Sequence, residues 1–455
     1  MNIRSHIKKY IDRIRSSGFL KSVLTLSSGV VVAQAINFFG MPLIGRIYTP
    51  GAMGDYTQIT ANANVILSVA CLGMMTVFML PEKDEEARGL SRLVTASTAL
   101  ISAAANLLLW AVSGSYQLFQ TEETPYGLSL VVLWLYILFY TVNNICYAYV
   151  NRRGLYKVMF WNPVLGAAVN IVAGVVFGLM GWGFLGYTGA HILSFIVNIV
   201  HLAIHANPFE KVKNPDYHCF PLLKSYRRFP IYQMPANLLA SLSAQIPVHM
   251  LGTLFSSSVL GMYSMAIKIL ALPSAFLATP VNRVYFREAS MRFVKGEDIG
   301  EFSFKILKTN IKLAIIPIMI LTVFGEWIFS VFLGEQWRTA GTYAAILGIY
   351  YLMLFCSDCL SGRYVIIHKN KLNLYLAIYK LLSNIGVYIV SYFWIKNVYY
   401  CLLLMTCMEL FYCILDQGIF LKQTGVSLPQ YGKFICFSII LPVLLAWGVR
   451  WLIWR

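Results

Sequence analysis

The sequence predicts an all-α polytopic membrane protein, with two parallel six-helix lobes plus a C-terminal helix and about 12–13 transmembrane helices. Three observations predict it. The 455 residues are 58% hydrophobic and only 12% charged, a balance that the surface of a water-soluble fold of this length does not tolerate. The apolar residues fall in runs long enough to cross a bilayer, separated by short polar stretches. One of those stretches occurs twice: Arg46-Ile-Tyr-Thr-Pro-Gly-Ala-Met-Gly-Asp-Tyr56 aligns without gaps on a segment containing Phe255-Ser-Ser-Ser-Val-Leu-Gly-Met-Tyr-Ser264. The alignment sets Tyr48 on Phe255, Thr49 on Ser256, Gly54 on Gly261 and Tyr56 on Tyr263, which points to two related halves.

Taken in order, residues 1–22 form a basic segment with Ile3, Ile7, Tyr10, Ile11 and Ile14 at helical spacing among Arg and Lys residues. It reads either as an amphipathic helix on an anionic membrane surface or as a frayed basic tail. With roughly 20 apolar residues needed to span the hydrocarbon core, the N-terminal lobe 23–206 divides into spans 23–45, 56–80, 93–113, 126–150, 160–180 and 184–206. A charged loop, 207–230, follows. The C-terminal lobe 231–421 holds spans 231–254, 259–282, 306–333, 342–362, 374–395 and 398–421, and the segment 422–455 adds a run at 434–449. Because six is even, both lobes enter the membrane from the same side, so the repeat is parallel. Pro235, Pro247, Pro273, Pro280 and Pro317 fall in the second half, where each removes a backbone hydrogen bond and permits a kink.

Charge sets the orientation. Of the 36 lysines and arginines, 29 lie on the N-terminal side of the spans and 5 on the other, which places the N-terminus in the cytoplasm. This asymmetry also accounts for most of the net charge of +17 without nucleic acid, since the basic residues sit between apolar runs rather than on one soluble face. Most tryptophans, among them Trp182, Trp327, Trp337 and Trp394, fall at outer ends as interfacial anchors. The outer loops 46–55, 114–125, 181–183, 255–258, 334–341 and 396–397 are all short, which leaves little room for an extracytoplasmic catalytic domain. Residues 1–21 lack the apolar core and cleavage site of a signal peptide. The nine cysteines lie in apolar runs or, for Cys219, in a cytoplasmic loop, so no disulfides are expected, and Cys356-Ser-Asp-Cys359 reads as packing rather than redox or metal chemistry.

Ionisable groups within the spans are candidates for function, because each is costly in lipid and turns toward a cavity or a partner. Lys268 lies about 13 Å from the outer end of its span and Glu409 about 18 Å from the inner end of its own, at ~1.5 Å per residue. Lys380 and Asp416 share a depth of about 8–9 Å by the same rise, so the sequence predicts an ion pair between them, structural or ion-coupling. Asp358, near an inner end, reaches Arg363 or the lipid headgroups. Gln233, Asn237, Ser241 and Gln245 repeat every four residues as a polar stripe suited to a hydrated cavity or to interhelical hydrogen bonds. His201 and His205 have a metal-compatible spacing but no third ligand, so no metal is expected. There are no paired catalytic carboxylates, no glycine-rich phosphate loop and no nucleophile elbow, so neither an enzyme nor a cofactor is expected.

Several stretches carry a resemblance. They are Arg46-Ile-Tyr-Thr-Pro with Gly54-Asp-Tyr56, Leu80-Pro-Glu-Lys-Asp-Glu-Glu-Ala87, Phe229-Pro-Ile-Tyr, Gly261-Met-Tyr-Ser with Lys268 and Pro273, and Gly325-Glu-Trp with Phe332-Leu-Gly-Glu-Gln-Trp337. In this order they resemble the polysaccharide biosynthesis proteins of the multidrug/oligosaccharidyl-lipid/polysaccharide exporter superfamily, the O-antigen and capsule flippases, over about residues 19–345. The resemblance implies translocation of an undecaprenyl-pyrophosphate-linked oligosaccharide across a bacterial inner membrane by alternating access. Partners would be that substrate, membrane lipids and other glycan-assembly proteins. On that reading Lys268 is a candidate to attract the substrate headgroup and Arg46 to do so during release at the outer mouth, and Gln233 and Asn237 of the polar stripe are further headgroup candidates. Met74-Met75-Thr76 stands where relatives often carry Arg-Tyr-Glu, so the chain departs from the family at that point. Two other readings compete: a multidrug antiporter of the same superfamily, and a membrane polymerase or ligase, which the short outer loops disfavour.

Overall fold

The apolar runs fold as α-helices, and polar caps and prolines set where they begin. The computed structural model describes residues 18–112 and 126–453, so residues 1–17 of the basic segment expected at 1–22 and the outer loop expected at 114–125 lie outside the described residues. No strand occurs among the described residues. The Asp298 side chain accepts from the Glu301 amide at 3.0 Å, that of Asn397 from Tyr399 at 2.9 Å, and Ser256 from Val259 at 3.3 Å, each satisfying an amide that the helix leaves open.

By contact the chain divides into two units. The first comprises Met1–Ile47 and Asn62–Leu238, the second Tyr48–Ala61 and Leu239–Arg455. In the first unit α1 (Gly18–Ile47) packs along α5 (Tyr156–Leu179), α5 along α6 (Gly183–His205), α6 along α4 (Tyr126–Arg152), and α4 along α3 (Asp84–Val112). The helix α2 (Pro50–Ala70) begins in the second unit and ends in the first. A short helix α7 (Cys219–Ser225) lies in the loop 207–230, and α8 (Met234–Leu254) follows.

In the second unit α9 (Ser257–Leu270) and α10 (Thr279–Val294) are joined through a π-turn at Ser274–Ala278 that directly follows Pro273. They pack with α11 (Ile299–Leu333) and α12 (Arg338–Cys359), the latter the most buried of the candidate membrane helices. A short helix α13 (Arg363–Ile366) leads to α14 (Asn370–Phe393), α15 (Val398–Gln423), and the C-terminal α16 (Leu428–Ile435) and α17 (Leu441–Ile453), which another π-turn joins.

Among the described residues eleven helical segments are long and apolar enough to cross a membrane. Thirteen were expected. The other two are α2 and α8, each 21 residues long and so about 31 Å at ~1.5 Å per residue. They fall short in apolarity because α2 carries Asp55, Gln58, Asn62 and Asn64, and α8 carries Asn237, Gln245 and His249. The protein is therefore an all-α polytopic membrane protein.

Two local expectations are corrected. The stretch 46–55, expected as an outer turn, is almost wholly helical: α1 runs to Ile47 and α2 starts at Pro50. Proline suits the first helical position, where its missing N–H costs nothing, and Thr49 Oγ1 accepts from the Ala52 amide at 3.2 Å. The single span expected at 56–80 stops at Ala70, where Leu72 (φ 52°) and Gly73 (φ 66°) take left-handed conformations before a 3-10 turn at Met74–Met79.

Candidate functional site

Within the second unit, two groups of side chains bring the predicted residues together. The first lies where the beginning of α2 meets α9. A Cβ placed on Gly54 would run into the Ser257 carbonyl, and one on Gly261 into the Pro50 carbonyl, so the two backbones touch at the repeated glycines. Two turns further along, Lys268 Nζ stands 5.6 Å from the centre of the Tyr56 ring, in reach of a cation–π attraction. Gln58 Nε2 lies 3.1 Å from His249 Nδ1 on α8, and Gly252 of α8 is close against the Gln58 amide. Lys268 thus sits among Tyr and amide groups on helices that begin at equivalent N-caps, Thr49 and Ser256.

The second group surrounds a cavity of about 270 Å3 lined by α12, α13, α14 and α15. Glu409, Cys413 and Asp416 fall at i, i+4 and i+7 of α15 and so share one of its faces. The predicted Lys380–Asp416 pair is corrected: Arg363 pairs with Asp416, and Lys380 pairs with Glu409 at 3.4 Å. The reason is local. Gly362 takes a left-handed conformation (φ 79°) ahead of α13, and the Arg363 guanidinium donates to Asp416 and to the Ser357 carbonyl at 3.1 Å. The Tyr364 hydroxyl adds a 2.8 Å bond to Asp416 Oδ1. With Asp416 so occupied, Lys380 pairs two turns away on α15 with Glu409, and its ammonium also lies 5.2 Å from the Tyr412 ring. Arg363 and Asp416 are both buried, so their pairing matches charge in a low-dielectric interior, whereas Lys380 is half-buried beside the buried Glu409. Asp358 lines the same cavity and does not pair with Arg363.

The remaining predicted residues lie in the first unit. Gln233 ends the π-turn Phe229–Gln233, and its Nε2 donates to Asn237 Oδ1 at 2.9 Å. Arg46 is exposed in the last turn of α1. His201 and His205 bond to backbone carbonyls of Val158 and His201, at 3.4 and 2.8 Å. Among the described residues no group of three or more His, Cys, Asp and Glu could hold a metal, and Cys356 and Cys359 are buried free thiols.

Sequence reasoning missed two features. The first is the docking of loop 207–230 on the start of α3. Glu85 Oε1 accepts from the Lys213 and Asn214 amides, Arg88 pairs with Glu210, and Arg92 donates to the Glu210 carbonyl at 2.9 Å. The Tyr226 hydroxyl donates to Glu86 at 2.9 Å; burial, reinforced by that carboxylate, pushes it up to about 12, so it stays a donor at neutral pH. The acidic run Asp84-Glu85-Glu86 was the available signal. The second is Arg450 of α17, which is buried, bonds the Thr322 carbonyl at 2.8 Å and pairs with Glu326 of α11, which also accepts from Thr342 at 2.8 Å.

Comparison with known proteins places this architecture. None of the curated proteins matches the sequence. Among solved structures, the lipid II flippase MurJ in an inward closed conformation superposes with a TM-score of 0.66 at 13% identity, covering 95% of this chain and 98% of that one. An inward-facing multidrug resistance MATE transporter of the MOP superfamily gives 0.52 at 16%, covering 88% and 96%. An outward-facing one gives 0.50 at 14%, covering 89% and 96%. At these identities the likeness is one of fold. The profile of the polysaccharide biosynthesis protein family matches residues 24–341, which is more than half of the chain. That span takes in the repeated stretch, the docked loop, Lys268 and the Glu326 motif, and by it the chain belongs to the polysaccharide biosynthesis protein family.

Proposed function

We propose that the protein is a flippase that moves an undecaprenyl-pyrophosphate-linked oligosaccharide from the cytoplasmic to the outer leaflet of a bacterial inner membrane, for O-antigen, capsule or exopolysaccharide synthesis. The observation that carries this reading is the family match over residues 24–341. The fold shared with a lipid II flippase supports it, since that protein's name specifies a lipid-linked substrate. The lobes 23–206 and 231–421, joined by loop 207–230, would alternate access to the two leaflets with the N-terminus in the cytoplasm.

The residues suit such a headgroup. A pyrophosphate needs a cation along its path through the membrane. Lys268, within α9 and against the Tyr56 ring, is such a cation. The Gln233–Asn237 amides offer neutral hydrogen bonds to sugar hydroxyls, and exposed Arg46 offers a second cation for release. Replacing Lys268 with Ala is expected to abolish surface glycan while the protein remains in the membrane. Intact glycan would remove Lys268 from the mechanism. A deletion strain with normal glycan and altered drug susceptibility would instead favour the multidrug antiporter, whose structures share the fold at TM-scores of 0.50 and 0.52.

A further inference from the structure

A run of lysines shares one face of α11. Lys305, Lys308 and Lys312 fall at i, i+3 and i+7, and a fourth lysine, Lys433, stands on α16, where the Phe434 ring meets the Phe304 ring of α11 at 5.4 Å. Lys305, Lys312 and Lys433 are exposed and Lys308 is half-buried. Among the described residues none of the four forms an ion pair, Glu301 one turn before Lys305 included. What holds Lys308 instead is a pair of rings: its ammonium lies 4.0 Å from the centre of Phe304 and 5.9 Å from that of Phe434. Two helices far apart in sequence thus bring four cations to one end of their contact, with no carboxylate pairing them.

A second observation sets their depth. An exposed tryptophan marks the far end of each segment, Trp327 on α11 and Trp451 on α17. Counting back the roughly 20 residues that cross a hydrocarbon core arrives near Leu307 on α11 and near Tyr431 on α16. The lysines therefore stand at the level of lipid headgroups. Between them and the tryptophans the surface turns apolar: Leu313, Ile316 and Ile320 are exposed along α11, and Phe437 and Leu444 on the α16–α17 side.

We propose that Lys305, Lys308, Lys312 and Lys433 form a binding site for an anionic phospholipid of the leaflet on this side of the membrane. The lysines hold its phosphate, and its acyl chains lie along the exposed apolar faces of α11 and the α16–α17 segment. Each ammonium carries three donors, and one held by rings keeps them for phosphate oxygens. A zwitterionic lipid fits less well, because its own ammonium meets the same cations. By bridging α11 and α16, the lipid fastens the C-terminal segment at the end opposite the Arg450–Glu326 pair.

The test is native mass spectrometry of the full-length protein released from detergent, titrated with phosphatidylglycerol and, separately, with phosphatidylethanolamine. Wild type is expected to hold phosphatidylglycerol the more tightly and to lose that preference as the salt concentration rises. Each lysine at a membrane surface contributes a factor of roughly five. Lys312→Gln, at an exposed position, is therefore expected to weaken the tightest phosphatidylglycerol site about fivefold, and Lys308→Gln, Lys312→Gln and Lys433→Gln together about a hundredfold. A control that removes three exposed cations from loop 207–230, Lys224→Gln with Arg227→Gln and Arg228→Gln, should leave that site unchanged. Equal affinity for the two lipids, a Lys312→Gln variant that binds as wild type, or a control that loses as much overturns the proposal. Displacement of the bound phosphatidylglycerol by equimolar undecaprenyl pyrophosphate overturns it too, by giving the site to a lipid-linked substrate. The readout involves no transport, so its failure is separable from failure of the flippase reading, which the Lys268→Ala surface-glycan assay tests.

Discussion

Asp416 is held by what reaches it rather than by how deep it lies. Its depth, set by counting residues, matched that of Lys380, yet Arg363 and Tyr364 take it. Spacing along a helix fixes depth and face, but which neighbour supplies the counter-charge depends on the turn at Gly362, whose left-handed conformation aims Arg363 inward. Removing one partner of a buried pair strands the other and costs about 3–5 kcal/mol. Arg363→Met is therefore expected to lower the unfolding temperature strongly in detergent. The double variant Arg363→Met with Asp416→Leu should recover much of the loss, since an apolar replacement leaves no orphan charge. Equal stability of Arg363→Met and wild type would show that the pair is not formed.

At the scale of the element, the repeated stretch was legible as a repeat and illegible as structure. Pro50, Gly51 and Gly54 read as turn formers, but proline is tolerated at a helix start and glycine where backbones must touch. What the repeat marks is a helix-on-helix seam between α2 and α9, in which Gly54 and Gly261 are in backbone contact and Thr49 and Ser256 supply the caps. Since each glycine faces the other's backbone, Gly54→Ala and Gly261→Ala each force the seam apart, at about 1–3 kcal/mol for overpacking. Thermal unfolding of the double variant should show less than the summed loss, because the first methyl already opens the contact that the second would strain. Strict additivity would mean the two sites do not share a contact. The C-terminal element shows the converse. Its run at 434–449 was legible as apolar, but the role of Arg450, one residue beyond it, was not: Arg450 is buried against Glu326 and fastens α17 to α11.

For the whole molecule, the apolar runs and their order were legible because roughly 20 consecutive apolar residues mean the same thing in any context. The candidate site was legible as a set of charges and not as a set of pairs, since partners come from helices far apart in sequence. Sidedness rests on the 29-to-5 distribution of Lys and Arg and makes a prediction of its own. Cys219 is exposed on the docked loop 207–230, while the other exposed cysteines, Cys407 and Cys436, lie within long apolar segments beside exposed Phe411 and Phe437, where lipid excludes a polar reagent. With the sidedness that the charge distribution predicts, a membrane-impermeant maleimide should leave the native chain unlabelled in intact cells and label it once the membrane is permeabilised, a signal that Cys219→Ser removes. Lys396→Cys, exposed in the short connection between α14 and α15, should be labelled without permeabilisation. Labelling of Cys219 from outside would invert the orientation, because docking by Glu85, Arg88 and Arg92 fixes the loop to the same end of α3 whichever side it faces.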